Sequence, residues 1–383
     1  MNRVTIAHPH FLKPAGATKV VLELSRQLVS RGIAVTILTT QTNPAVIADY
    51  QGIDFQCLSQ RTTGSLMFWP TLPFFRRKFQ RAVQAAKGDV VFAHSLALYW
   101  LGGLKRLNPD VPLVYYLHDL GLPYVDSQAE LGSLSLAGRT IGRLIKPILN
   151  RINAKLLSQI DAIIANSQQA AVFFERRYQR QPDAVITPGI DAGVFTPTES
   201  KGDYLYTAGR LEKIKRTDLV IEAFAAYIKQ SGDRQLELHI IGGGIEQDSL
   251  QALAKSLGVA SRTRFLGVKS AQEVAAVAAG AKAGIFLCPN ESFGLAAVES
   301  MGCGTPVIGV NRGGIGEIVV DGQTGLLTDL EPVSIGQKIA QLLADKDYPR
   351  LCRQARQHVL DHYTWQRSGE ELIEFFKKIG GHG

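Results

Sequence analysis

Cysteine is scarce in this sequence, with four residues in 383, at Cys57, Cys288, Cys303 and Cys352. They form no C-x-x-C pair and no histidine stands at ligand spacing, which argues against a disulfide framework or a structural zinc site. A reducing cytoplasm is the expected setting. Long apolar runs are missing as well. The longest, VVFAHSLALYWLGGL from Val90 to Leu104, contains His94 and falls short of the roughly 20 residues a membrane-spanning helix needs. The opening MNRVTIAHPHF holds no apolar stretch of signal-peptide length. A soluble or peripheral protein is expected. A D-x-D clamp of paired aspartates on a metal is not expected, and neither the G-x-x-x-x-G-K-[ST] phosphate loop nor the G-x-S-x-G nucleophile elbow occurs.

Acidic charge is short in one half only. Residues 1–190 carry 21 Lys and Arg against 11 Asp and Glu, a net +10, whereas the remainder carries 21 against 23. An asymmetry of this kind points to an anionic partner such as lipid, nucleic acid or a phosphorylated substrate.

What is abundant is the grammar of an α/β chain: 37 glycines, 45% hydrophobic residues and 20% charged ones. VTIAHP, AVTILTT, DVVFAHS, PLVYYLHD and DAIIANS are short apolar runs ending in polar residues, and amphipathic stretches such as TKVVLELSRQLVSRG fall between them. Continuous apolar strands separated by helices imply a parallel sheet covered on both faces. ITPGIDAGVFTPTESKG, Ile186 to Gly202, reads as a linker, after which the pattern restarts with YLYTAGR, LELHIIGGG, RTRFLG, AGIFLCP and PVIGV as strands. A chain of this length is expected to form two doubly wound domains, residues 1–190 and 191–365. Ligand would lie in a cleft at the carboxyl ends of their strands. DHYTWQRSGEELIEFFKKI reads as a terminal helix, with residues 366–383 returning to pack on the first domain.

Five stretches carry candidate chemistry. In PNESFGLAAVESMGCGTPVIG, Glu291 leaves a strand, Gly294 opens a helix and Glu299 lies one turn inside it. Free N–H groups at a helix start suit a phosphate, and glycine lets a ligand approach the backbone. Glu299 is placed to accept from a hydroxyl pair such as a ribose diol, and Glu291 to face what lies beyond the phosphates. A lone carboxylate at either position would read as a cap or surface group; their spacing favours a site. In TAGRLEKIKRTDLVIEAF, Arg210 and Lys215 stand at a strand-to-helix turn, a pair suited to a diphosphate, although a solvated loop has the same look. Gly16 lies before the first long helix, and Gly242 and Gly243 lie in IGGGIEQ. That run misses a dinucleotide fingerprint because Gln247 stands where the third glycine belongs, so a turn beside a nucleobase and a plain turn are equally compatible. His118 ends the strand PLVYYLHD, facing either a ligand or an ordinary interior.

These motifs resemble the retaining nucleotide-sugar glycosyltransferases of family four, over nearly the whole chain and most strongly from Tyr204 to Leu327. The E-x7-E pair Glu291 and Glu299, followed by SMGCGTPVIG and GGIGEIVVDGQTGLL, is the most specific piece, and GRLEKIK is the second. The resemblance implies a GT-B architecture, two Rossmann-like domains facing each other across a cleft. It implies transfer of a hexosyl group from a nucleoside-diphosphate sugar to an acceptor hydroxyl with retained configuration, with no metal and no bound cofactor. Under it Glu299 holds the ribose, while Glu291 and the backbone of Phe293, Gly294 and Leu295 contact sugar and diphosphate. Gly242 and Gly243 belong to the nucleotide side. Arg210 and Lys215 neutralise the leaving diphosphate, Gly16 admits it to the first domain, and His118 lies beside the anomeric carbon. The chain departs from the family at Ala15, where a second glycine is common, at Arg216, where glycine often follows the lysine, and at Pro188.

The acceptor side is less specific. LMFWPTLPFFRRKFQRAVQAAKG mixes aromatics with Arg76, Arg77, Lys78 and Arg81, and GRTIGRLIKPILNRINAKLL sets Arg139, Arg143 and Lys146 on one helix face ahead of Pro147, which should kink or interrupt that helix. Such faces suit an anionic membrane, with a lipid-linked or glycan acceptor in cell-surface polysaccharide or glycolipid synthesis at its inner leaflet; a solvated basic helix fits equally. Nucleic acid is not the expected partner. A sugar-nucleotide epimerase or glycan phosphorylase on the same plan is the alternative enzyme, and a binding module for an anionic partner the non-enzymatic one.

Overall fold

A computed structural model describes residues 1–13, 16–59, 68–120, 122 and 136–380. The chain divides into two compact units. One runs to Thr187 and resumes at Trp365; the other is Pro188–Thr364.

In the first unit β1 (Arg3–Ala7), β2 (Ala34–Thr39), β3 (Ile53–Cys57), β4 (Val90–His94), β5 (Leu113–Leu117), β6 (Ala162–Ala165) and β7 (Ala184–Val185) form one sheet. Their order is β3-β2-β1-β4-β5-β6-β7 and every pair is parallel. Strand order reverses between β1 and β4, the switch point at which open α/β sheets bind ligands. All five residues of β4 and of β5 are buried, as expected for strands with helices on both faces. Helices α1 (Gly16–Val29), α2 (Phe68–Ala86), α3 (Leu136–Leu157) and α4 (Gln168–Tyr178) connect them.

Helix α2 shows why its sequence is basic on one side. Phe75, Phe79 and Val83 are buried, and Trp100 packs on the first two at centroid distances of 5.4 and 4.5 Å. Arg77, Lys78 and Arg81 are exposed. Arg76 is not part of that face: it turns inward, and its guanidinium donates to the Tyr99 carbonyl at 3.3 Å. Helix α3 runs through Pro147 without interruption. The side chains of Arg139, Arg143 and Lys146 lie outside the described residues, as do Ala15, Leu66 and Met67.

The second unit repeats the plan. Strands β8 (Tyr204–Ala208), β9 (Glu237–Ile241), β10 (Thr263–Gly267), β11 (Ala283–Phe286), β12 (Val307–Val310) and β13 (Gly325–Thr328) are parallel in the order β10-β9-β8-β11-β12-β13. Helices α5 (Thr217–Ser231), α6 (Gln247–Ser256), α7 (Ala271–Gly280), α8 (Leu295–Gly302), α9 (Gly313–Ile318), α10 (Pro332–Leu343) and α11 (Tyr348–His362) accompany them. The stretch read as a linker does more than connect. Ile190 and Phe195 are buried in this unit's core, and the Ile190 amide donates to the Tyr363 carbonyl at 2.9 Å.

The terminal segment is two helices rather than one, because the chain breaks at Tyr363 and Thr364 before α12 (Trp365–Gly380). Helix α12 belongs to the first unit. There Phe376 meets Phe92 at 5.1 Å, Ser368 Oγ donates to the Thr187 carbonyl at 2.6 Å, and Arg31 pairs with Glu370 at 3.1 Å.

Candidate active site

The strands of the second unit deliver their chemistry at their carboxyl ends. Residues 287–293 leave β11 and reach α8, whose first residue is preceded by Gly294 at φ 112°, a conformation that favours glycine. Glu291 in that loop accepts from Lys215 Nζ at 2.6 Å, and both side chains are about three-quarters buried. Burial pulls the Lys215 pKa down, but the Glu291 carboxylate and the neighbouring Cys288 outweigh it, and the net direction is up. Lys215 is therefore a held, charged ammonium beside a helix N-terminus.

Two glycines outside these candidate stretches fix this loop. The Gly314 amide donates to the Glu291 carbonyl at 2.8 Å, and a Cβ on Gly314 would lie 2.1 Å from the Phe293 oxygen. Gly313 sits at φ 61°, where a Cβ would meet the Glu291 oxygen at 2.7 Å. Helix α9 thus rests directly on the backbone that carries Glu291. The signal is present in the sequence as the doublet in GGIGE, but it says nothing about which segment it touches.

Glu299 lies on the second turn of α8 and is half-buried. The Phe293 side chain is buried in the core against Tyr363, so only its backbone is left to face a ligand. Leu295 is half-buried at the helix start. Arg210 is exposed and its guanidinium bonds Glu212 at 2.5 Å. Its charge also acts on Lys215, which places the two cations in one neighbourhood. Lys215 ends a single 3-10 turn, Lys213–Lys215, and Arg216 follows at φ 55°, the left-handed conformation that explains why a glycine suits the position; its Nε bonds both oxygens of Asp218 at 3.2 and 3.3 Å.

The glycine run after β9 interlocks with the arginine loop. Leu211 N donates to the Gly243 carbonyl at 3.0 Å, and Cβ atoms on Gly242 and Gly244 would fall 1.8 Å from the Gly209 oxygen and 2.3 Å from the Leu211 oxygen. Gly242 and Gly244 are thus required for backbone approach, and the turn holds Arg210's loop in place.

In the first unit Gly16 is exposed at the start of α1. His118 follows β5 and is buried, with its Nε2 2.8 Å from His94 Nδ1. Asn166 donates to its backbone carbonyl at 2.8 Å. Burial pushes the His118 imidazole down to about 3, and His8 and His94 are also held well below the usual histidine range by burial first and by their neighbours second. All three rings are neutral at pH 7. Only His118 stands out in the sequence; His94 in AHS and His8 in HPH look like interior residues until the sheet aligns them. The chain's one D-x-D, Asp345 to Asp347, is a turn ahead of α11 in which Asp347 N donates to Asp345 at 2.8 Å. Among the described residues no group of three His, Cys, Asp or Glu side chains is placed to hold a metal ion.

Comparison with known proteins bears on what this arrangement is for. The model of the glycosyl transferases group 1 family matches residues 195–359, and that of glycosyltransferase family 4 matches residues 14–194. The chain belongs to the GT-B glycosyltransferases of the family-four type. This glycosyltransferase is 28% identical over 393 residues to the D-inositol 3-phosphate glycosyltransferase of Corynebacterium diphtheriae, covering 93% of this chain and 88% of the relative. Its fold is similar to that of Anabaena HepE, solved with UDP and glucose, at a TM-score of 0.78, 20% identity and coverage of 99% and 100%. Sucrose-phosphate synthase from Thermosynechococcus elongatus superimposes at a TM-score of 0.80 with 19% identity and full coverage of both chains. No helix among the described residues is long and apolar enough to cross a membrane.

Proposed function

We propose that this glycosyltransferase moves a hexosyl group from a nucleoside-diphosphate sugar to an acceptor hydroxyl, retaining configuration and needing no metal. The observation that carries the reading is the Lys215–Glu291 pair at 2.6 Å beside the glycine-opened start of α8. An ammonium and free helix N–H groups stabilise a diphosphate most as the glycosidic bond breaks and its charge grows. Arg210 adds a second cation, Glu299 takes the ribose hydroxyls, and Gly16, Gly242, Gly243, Gly294 and Leu295 let the nucleotide approach backbone. His118 contributes a neutral ring beside the sugar.

The acceptor we infer is lipid-linked or a growing glycan at an anionic surface, in cell-surface polysaccharide or glycolipid synthesis. The +10 charge of residues 1–190 and the exposed Arg77, Lys78 and Arg81 support that reading. A related enzyme is named for D-inositol 3-phosphate, an acceptor that shares negative charge. A thermal-shift panel of UDP, GDP, ADP, dTDP and CMP tests the donor half. At a hundred times its dissociation constant a ligand stabilises by about 2.7 kcal/mol. One nucleoside diphosphate raising the melting temperature names the donor base; no shift with any refutes a working donor site.

A further inference from the structure

The strands β4 and β5 bring two buried imidazoles into a single hydrogen bond. In their parallel register His94 stands opposite Tyr116, so His118, two residues on, lies diagonally across from His94 on the same face. His94 is wholly buried, with Phe92 at 4.3 Å, Tyr116 at 5.6 Å and His8 at 6.3 Å between ring centroids. The chain turns directly after it through Ser95 at φ 49°, a left-handed conformation uncommon for a non-glycine residue.

A hydrogen bond between two neutral imidazoles has one donor and one acceptor. Two arrangements satisfy the 2.8 Å contact between His94 Nδ1 and His118 Nε2. If His118 donated, His94 would carry its proton on Nε2, an atom that is buried without a partner. If His94 donates, that same Nε2 is a bare lone pair. An orphaned buried N–H is the rarer and costlier defect, so the second arrangement prevails.

We propose that His94 is a positioning residue whose Nδ1–H donates to His118 Nε2 and so fixes His118 as the Nδ1–H tautomer. The inference rests on the proposed function for what His118 faces, but not for the tautomer itself. It makes His118 a hydrogen-bond donor at Nδ1 with its other nitrogen occupied, and removes both nitrogens as proton acceptors. His118 then supplies no protein base at this ring.

Long-range proton–nitrogen NMR correlations on histidine-labelled full-length protein assign each ring proton. The proton of His118 is expected on Nδ1 in the parent. It should stay there in His94→Asn, whose amide keeps a donor near the Nδ1 position, and spread over both nitrogens in His94→Phe. In the same variants, UDP-glucose turnover should fall about tenfold for His94→Phe, one hydrogen bond of roughly 1.4 kcal/mol, with UDP affinity unchanged and activity recovered in His94→Asn. A parent His118 protonated on Nε2, or a His94→Phe spectrum with the His118 proton still wholly on Nδ1, overturns the proposal. If His94→Phe does not fold, the parent spectrum alone decides. A confirmed tautomer with a fully active His118→Ala would instead defeat the placement of His118 beside the sugar and leave the pairing standing.

Discussion

Replacing Gly314 by alanine probes whether α9 really seats the acidic loop. The added Cβ would lie 2.1 Å from the Phe293 oxygen and 2.5 Å from its carbonyl and α carbons, all backbone atoms that no rotamer change can move. Carbon contacts relax only near 3.5–4.0 Å, so one segment must retreat by more than about 1 Å. The Gly314 N–H bond to Glu291 would be lost in that movement. Overpacking of this kind costs about 3 kcal/mol, which for a unit of this size lowers the melting temperature by roughly 6–12 °C. Displacement of the Glu291 loop by about 1 Å should also reduce turnover by roughly a hundredfold.

Gly322→Ala is the control. Gly322 also has a positive φ, 72°, but nothing lies within 4 Å of where its Cβ would stand, so only left-handed strain of about 1–2 kcal/mol is incurred. Thermal melts and nucleoside-diphosphate titrations of the two variants separate clash from strain. If Gly314→Ala melts no lower than Gly322→Ala and binds nucleotide as the parent does, the seating of the loop by α9 is wrong.

Other expectations concern charge and protonation. Under its proposed role, Lys215→Met should lower kcat by roughly a hundredfold or more while nucleotide-sugar affinity falls less, since the ammonium would act on charge that grows in the transition state; steady-state kinetics with a matched kcat would refute it. Arg216→Gly should raise stability by about 1 kcal/mol or less, because relief of the left-handed arginine exceeds the loss of its half-exposed bond to Asp218; a lower melting temperature would contradict this. His8, His94 and His118 all have folded pKa values below their unfolded ones, so their neutral burial stabilises fully above about pH 6.5 and is lost as pH falls, for His118 towards about 3. Between pH 6 and 5 His118 alone should lower stability by about 1 kcal/mol with proton uptake on unfolding, and His8 and His94 act in the same direction. A melting temperature flat over that range would show that the rings are not buried neutral.

Much of this was legible from one strand of text because a parallel sheet writes itself plainly. Val90–His94 and Leu113–Leu117 are continuous apolar runs, whereas the edge strand Ile53–Cys57 alternates Asp54 and Gln56 with apolar residues and is half-exposed, so it carried no such signal. Gly325–Thr328 is four residues after a glycine turn, too short for any period to emerge. At the candidate site, Glu291, Glu299, Arg210 and Lys215 stand out in the sequence because charge beside a helix start is unusual. Their supports did not. Gly313, Gly314 and His94 matter through what they touch, and contacts between segments twenty or more residues apart leave no trace in local spacing. Arg76 shows the converse: it reads as one of a basic run, and only the Tyr99 carbonyl reveals that it faces inward.

Under the proposed function the Lys215–Glu291 pair sets a conflict that the reaction must resolve. With the ammonium bonded to a carboxylate at 2.6 Å, a diphosphate competes with Glu291 for the same cation, and a second negative charge approaches the first. Glu291 can give up Lys215 without remaining unpaired only if something else donates to it, and the hydroxyls of a hexose are such donors. A nucleoside diphosphate alone brings none. Glu291→Gln removes the competing charge while keeping an oxygen near Lys215. It should therefore bind the nucleoside diphosphate about three- to tenfold more tightly, the worth of roughly 1 kcal/mol for a pair about three-quarters buried. The intact nucleotide sugar should gain less or nothing, because the same change weakens its bonds to the sugar, and turnover should fall. Calorimetric titration of the parent and variant with both ligands checks the sign. Weaker binding of the bare diphosphate would mean that Glu291 holds Lys215 in the orientation the phosphates need, and that the two residues cooperate instead of competing.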